Sequence, residues 1–155
     1  MKRINLTQNK VALVDDKWFP YLSQFRWQAR YDRTTGKWYA ARQVRRKFIY
    51  MHREILNAPD GLHVDHVNGD PLDNRKRNLR LATSAQNAWN RDKYKNNTTG
   101  YKGVTRDKGR GKLRAQITVH GKHIHLGWFD DPHEAALAYD RAVRQYHGPF
   151  GCTNF

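Results

Sequence analysis

The chain has 155 residues, enough for one ordinary domain or two small ones. Its 29 Lys plus Arg against 14 Asp plus Glu leave a formal charge of +15, which points to nucleic acid or an anionic surface as partner. No run approaches the ~18 apolar residues of a spanning helix, no signal-peptide core follows Met1, and one cysteine, Cys152, excludes an intrachain disulfide framework or a cysteine-built zinc ribbon, so a cytoplasmic, reducing setting is expected.

Residues 1–60 carry 13 basic and 5 acidic groups and read as strands with short helices. Val11 to Val14 is a compact apolar strand. Asp15-Asp16 is expected to cap a turn of helix through Trp18 and Leu22, kept short by Pro20. Phe25, Trp27 and Ala29 alternate with Arg26, Gln28 and Arg30, and this run pairs with Trp38 to Val44 across a Thr-Gly turn as a hairpin. Arg45-Arg46-Lys47 leads into Phe48 to Tyr50, then Met51 to Leu56, predicted helical up to Ala58-Pro59. Arg26, Arg30, Arg42, Arg45, Arg46 and Lys47 can form one basic sheet face against phosphates.

Leu62 to Asn90 carries the chemistry. Val64 and Val67 flank Asp65-His66 in a short strand. Asn68-Gly69 and Asp70-Pro71 supply turn chemistry, and Leu79-Arg80-Leu81 alternates as a second strand. Thr83 to Gln86 has capping-box spacing, which starts a helix and places Asn87 in its first turn. Asp65 and Asn87 offer hard oxygens of the kind that suit Mg²⁺ or Mn²⁺. His66 can take a proton near neutral pH. Neighbours on a regular strand face opposite ways, so Asp65 and His66 share a site only if the strand bends or ends there.

Asp65-His66, Asn78 twelve residues after His66 and Asn87 nine further on resemble the HNH nuclease motif, in its variant with a final Asn. The resemblance implies a ββα-metal core over about 62–94, with Asp65 and Asn87 as ligands of one divalent cation, Mg²⁺ or Mn²⁺. It makes His66 the general base and Asn78 the brace of the loop. The N-terminal order V-A-L-V-D-D, L-S-Q-F-R-W and Y-M-H-R is similar to phage-type members of this group, and includes His52. His52 and His63 also read simply as packed or hydrogen-bonded histidines.

Residues 95–100 are polar, lack periodicity and read as a linker. Beyond it, Tyr101 to Val104, the alternation Leu113, Ala115, Ile117, Val119 and the run Ile124, Leu126, Trp128 predict a three-stranded antiparallel sheet. Asp131-Pro132-His133-Glu134 starts a helix whose face holds Ala135, Ala138, Tyr139, Ala142 and Tyr146, and Gly148 ends it. Y-K-G-V, G-K-L-R-A-Q-I, L-G-W-F-D, E-A-A-L-A-Y-D and the closing Asn154-Phe155 resemble the plant ethylene-response-factor (Apetala-two type) DNA-binding domain. That resemblance makes the sheet the DNA face, with Lys102, Arg106, Lys112, Arg114, Gln116, Lys122, His123 and His125 as contacts. His123 and His125 stand where the plant domains usually carry Arg and Trp, so plant sequence preference does not transfer.

The expected fold class is α+β: a small N-terminal β-sheet leads into the ββα-metal core, followed by a three-stranded sheet packed on one helix. The expected domains are 1–94 (nuclease), 95–100 (linker) and 101–155 (DNA binding). The expected function is a homing-type, metal-dependent endonuclease that nicks duplex DNA, without an obligatory protein partner. Two rivals stand beside it: a catalytically decayed DNA-binding regulator, and an RNA-binding protein.

Overall fold

The computed structural model describes residues 1–93 and 96–155. Residues 94 and 95, where the expected nuclease domain ends and the expected linker begins, lie outside the described residues. The fold mixes α and β in several small sheets and few helices, in two compact units, Met1–Ser84 and Ala85–Phe155.

In the first unit, β1 (Lys2–Asn5) and β2 (Val11–Val14) pair antiparallel. The short helix α1 (Phe19–Leu22) follows, then the meander β3 (Gln28–Asp32), β4 (Lys37–Val44) and β5 (Lys47–Tyr50). Helix α2 (Met51–Leu56) leads to the hairpin β6 (His63–His66) and β7 (Leu79–Ala82). Val14, Leu22, Trp27, Ala40, Met51 and Ile55 fill the core between them. Burial of these side chains supplies the main driving force for holding such short elements together.

Three local expectations differ. The aspartates do not cap α1: its N-cap is Trp18, without a side-chain cap bond, and the Asp15 carboxylate instead accepts from Lys76 N at 2.7 Å. The ladder β3 begins at Gln28, because Trp27 turns into the core, where its Nε1 donates to Leu22 O at 2.8 Å. Helix α2 stops at Leu56, since Asn57 takes a left-handed φ of 46° and ends the helical run before Ala58.

The helix α3 (Ser84–Trp89) begins at the last residue of the first unit and runs into the second. There β8 (Val104–Arg106), β9 (Leu113–Val119) and β10 (Lys122–Phe129) form an antiparallel sheet in the order β10-β9-β8. One face packs on α4 (Pro132–Tyr146), whose N-cap Asp131 accepts from His133 N at 2.9 Å. Val104, Leu113, Ala115 and Ile117 meet Ala135, Tyr139, Ala142 and Val143. Small alanines on α4 let helix and sheet approach closely. Val143 is buried, whereas Tyr146, expected on the apolar face, is 40% exposed.

The first strand of this sheet starts at Val104, not Tyr101. Gly103 has φ +76° and its carbonyl accepts from Gln116 N at 2.9 Å, so the chain turns there before the ladder begins. A Cβ at Gly103 would run into the Tyr139 ring. Gly103→Ala therefore combines left-handed strain with overpacking, and we expect it to destabilise the second unit by at least about 1–3 kcal/mol. Chemical denaturation followed through hydrogen exchange of α4 amides measures this, and unchanged protection there would contradict the assigned close approach.

Candidate functional site

Strand β6 ends at His66, the last residue in register with β7, opposite Leu79. Asp65 and His66 are both buried there, at 4% and 6% exposure. Both residues are in the ladder, Asp65 opposite Arg80 and His66 opposite Leu79; past His66 the backbone leaves it, and Gly69 N donates back to His66 O at 2.8 Å.

The loop from Asn68 to Asn78 is held by its own side chains. Asn68 Oδ1 accepts from Asp70 N and Asp70 Oδ1 from Leu72 N, each at 2.9 Å, as Asx turns do. Asn78 spans the loop. Its Oδ1 accepts from Asn68 N at 2.9 Å, its Nδ2 donates to Asp73 O at 2.8 Å, and its backbone carbonyl accepts from Val67 N at 2.9 Å. The buried Asp73 pairs with Arg75 and accepts from Asn68 Nδ2 at 3.0 Å; the Arg75 guanidinium holds its carboxyl below the usual carboxylate range. Leu13 N donates to Leu72 O and Asn74 N to Leu13 O, both at 2.8 Å, tying the loop to β2.

Behind His66 stands an aromatic box. The His52 ring meets the His66 ring edge-on at 5.1 Å and stacks on Tyr50 at 5.5 Å, and Tyr39 lies 5.8 Å from His52 and 6.5 Å from His66. Burial lowers the pKa of His66 from its ordinary value, and the Asn74 side chain with Asp65, Asp70 and Asp73 pulls only partly the other way. Such a ring is neutral at pH 7 and able to accept a proton. Burial pushes His52 down to about 3, and its Nδ1 has no hydrogen-bond partner among the described residues. His63 lies outside this box, with Nε2 3.0 Å from Ser84 Oγ.

One neighbour was not foreseen. Asp65 Oδ2 accepts from Arg80 Nε at 2.7 Å and from Nη2 at 2.6 Å. Asp65 and Arg80 are directly opposed in the β6–β7 register, so counting the hairpin outward from its loop would have found the pair. Among the described residues no three His, Cys, Asp or Glu side chains gather to hold a metal. Asn87 lies on α3, within the second unit, whereas Asp65, His66 and Asn78 belong to the first.

The expected DNA contacts fall into distinct settings. Arg42 donates to both Glu54 oxygens, at 3.1 and 2.8 Å, and lies 4.0 Å from the Phe25 ring centre. Arg45, Arg46 and Lys47 are exposed at the β4–β5 turn, where Arg45 adopts φ 54°, and line an open depression of about 700 Å³ with Val44 and Ile49. On the outer sheet of the second unit, Arg114 opposes Trp128 and Thr105, Gln116 opposes His125, and Thr118 opposes His123. Arg110 lies 4.7 Å over Trp128, which also meets His125 at 5.1 Å, so Trp128 belongs to this face beside the expected contacts. Arg106 and Lys122 are exposed, and Lys112 pairs with Asp130 at 3.1 Å. Lys102 is turned to other use: its Nζ donates to Trp89 O at 2.7 Å and Arg91 O at 2.5 Å.

Comparison with known proteins adds independent findings. The model of the HNH endonuclease family matches residues 57–89, which include all four motif residues. The chain is 38% identical over 92 residues to Protein 3.8 of Escherichia phage T7, covering 59% of this chain and 75% of that protein. It is 27% identical over 139 residues to an uncharacterized HNH endonuclease of Acanthamoeba polyphaga mimivirus, covering 90% of this chain and 71% of the relative. It is 42% identical over 55 residues to APETALA2-like protein 2 of Oryza sativa subsp. indica, covering 36% of this chain but 13% of the plant protein.

The buried His52 links the box to pH. Its pKa in the folded chain is about 3, below its unfolded value of 6.5, so the unfolded chain takes up the extra proton. Stability is therefore full above pH 6.5 and falls as pH drops toward 3, with one proton contributing up to about 1.4 kcal/mol per pH unit. His52→Phe should flatten the decline by that one-proton slope between pH 6.5 and 5. Denaturant melts of both chains across that range measure it, and parallel declines would contradict the burial of a neutral His52.

Proposed function

The chain belongs to the HNH endonucleases, DNA nucleases by family, and from that premise we propose that it nicks duplex DNA, with Asp65, His66, Asn78 and Asn87 in the roles that the HNH motif implies. The observation that carries this reading is the loop braced by Asn78, which leaves β6 directly after the buried pair Asp65 and His66. In the ββα-metal reading, β6, β7 and α3 are the three elements. The neutral His66 imidazole takes a proton from the attacking water. Asn78 fixes the loop backbone, and the aromatic box limits rotation of the His66 ring.

The oxygen donors of Asp65 and Asn87 fit a hard divalent cation, Mg²⁺ or Mn²⁺; when bound, it supplies compensation for charge on the phosphate and leaving oxygen. Arg80 already pairs with the Asp65 carboxylate, which favours weak retention of the ion in the absence of DNA. Arg45, Arg46 and Lys47 on one unit hold phosphates. The outer sheet of the second unit, with Arg114, Gln116, His123, His125 and Trp128, acts as an Apetala-two-like DNA-binding face. The same Asp65–Arg80 pair supports a second reading, a DNA-binding regulator whose carboxylate is permanently taken by arginine.

Plasmid nicking beside a gel shift separates the two readings. The wild-type chain should nick with Mg²⁺ or Mn²⁺ and stop in excess EDTA. Asp65→Ala and His66→Ala should lose at least roughly 100-fold in nicking and keep DNA binding, as expected for removal of a base or ligand. Wild-type turnover by either variant would remove the site assignment, and a wild-type chain that binds without cutting would favour the regulator. For the sheet, Arg114→Ala should reduce the slope of log K against log salt by about one if Arg114 meets a phosphate. A salt titration on target and random duplexes reads this, and no change in either slope or site preference would take Arg114 off the DNA.

A further inference from the structure

Helix α3 cannot stand by itself. Its six residues, Ser84–Trp89, are too few for a stable isolated helix, and none of them is buried. Its C-terminal end is fixed within the second unit by three separate contacts. The Trp89 indole stacks flat on the His147 imidazole, with ring centres 4.3 Å apart and planes 8° apart. Lys102 Nζ donates to Trp89 O and Arg91 O, and Cys152 N donates to Trp89 O at 3.3 Å.

Each of these groups is itself tied to the core of that unit. His147 Nε2 lies 2.9 Å from Thr118 O on β9, and its backbone N donates to Val143 O on α4. Lys102 N donates to Asn154 Oδ1 at 2.7 Å, and Asn154 Nδ2 donates to Lys102 O at 3.2 Å. Asn154 N and Nδ2 both reach Asp140 Oδ1, a fully buried carboxylate on α4. A chain of hydrogen bonds thus runs from α4 to the end of α3. Asn87 sits two residues before Trp89, and each residue of slippage turns a helix by about 100°.

We infer that Trp89, Lys102 and His147 are positioning residues for Asn87, so that the C-terminal unit sets the last residue of the nuclease motif. The inference rests on the proposed role of Asn87 as a ligand. Its consequence is that the unit assigned to DNA binding also governs whether the nuclease motif is complete.

The test uses the full-length chain with Trp89→Ala, Trp89→Phe and Lys102→Met. The first readout is hydrogen exchange of the metal-free protein. In Trp89→Ala and Lys102→Met, α3 amides should exchange roughly 10-fold faster or more, while β9 and α4 keep wild-type protection. The second is nicking against Mn²⁺ concentration. Both variants should lose roughly 10- to 100-fold and recover in part as Mn²⁺ is raised, as a misplaced ligand shell does. His66→Ala should not recover. Duplex binding in EDTA should stay at the wild-type level, and Trp89→Phe, which keeps a flat partner for His147, should restore both readouts. If Trp89→Ala also loses α4 protection, Lys102→Met, which leaves the ring stack in place, decides the matter. Wild-type α3 exchange and wild-type nicking in Lys102→Met would overturn the inference alone. A wild-type chain that never nicks would overturn the proposed function and the catalytic half of the inference with it.

Discussion

One carboxamide holds the nuclease half of the motif in shape. Asn78 accepts from Asn68 N and donates to Asp73 O, closing a loop that carries a single 3-10 turn, Lys76–Asn78, among its otherwise irregular residues. Backbone groups at a strand end must find partners or face a desolvation cost of about 1–3 kcal/mol each. Asn78 meets that need at both sides of the loop, which lets β6 end abruptly at His66. Asp65 and His66 are the last two residues of that ladder, so the braced loop begins directly beside them. The chemistry assigned to His66 and Asp65 therefore depends on a residue that need not touch the substrate.

The second unit is organised by a different polar group. Asp140 is fully buried and accepts from Asn154 N, Asn154 Nδ2 and Phe155 N. A buried carboxylate is tolerated when its lone pairs are satisfied, and here they are satisfied by the end of the chain itself. The sheet contributes apolar contacts from Val104, Leu113 and Ile117, while Asp140 fixes where the last residues lie. This leaves the opposite sheet face for Arg114, Gln116, His123, His125 and Trp128.

Much of this was legible in the sequence because the signals were local. Asn68-Gly69 and Asp70-Pro71 announced the loop, alternation announced β9 and β10, and Asp131-Pro132 announced α4. What escaped were uses of side chains fixed by tertiary contact. Asp15 had the chemistry of a helix cap, but the return of the chain at Lys76 offered it a better donor. Arg80 read only as the polar member of the alternation Leu79-Arg80-Leu81, and it is the hairpin register that sets it against Asp65. Lys102 read as a DNA contact, although its ammonium closes the end of α3. Trp128 read as one of the apolar run Ile124, Leu126, Trp128, whereas strand pairing places it beside Arg114 on the outer face. Composition reveals that a cation is present; it does not reveal which acceptor the fold brings to it.

The stacking of Trp89 on His147 also bears on how such proteins can be reshuffled. The polar stretch 95–100 reads in the sequence as the natural seam at which one C-terminal half could be exchanged for another. A recombination joint there would separate Trp89 from His147 and Lys102, the groups that fix its ring and its carbonyl. A productive crossover must instead fall before α3, carrying the helix along with the sheet that supports it. Lineages that trade C-terminal halves should therefore inherit the final motif residue from the donor of that half, and the ancestry of Asn87 should follow that of His147 more closely than that of His66.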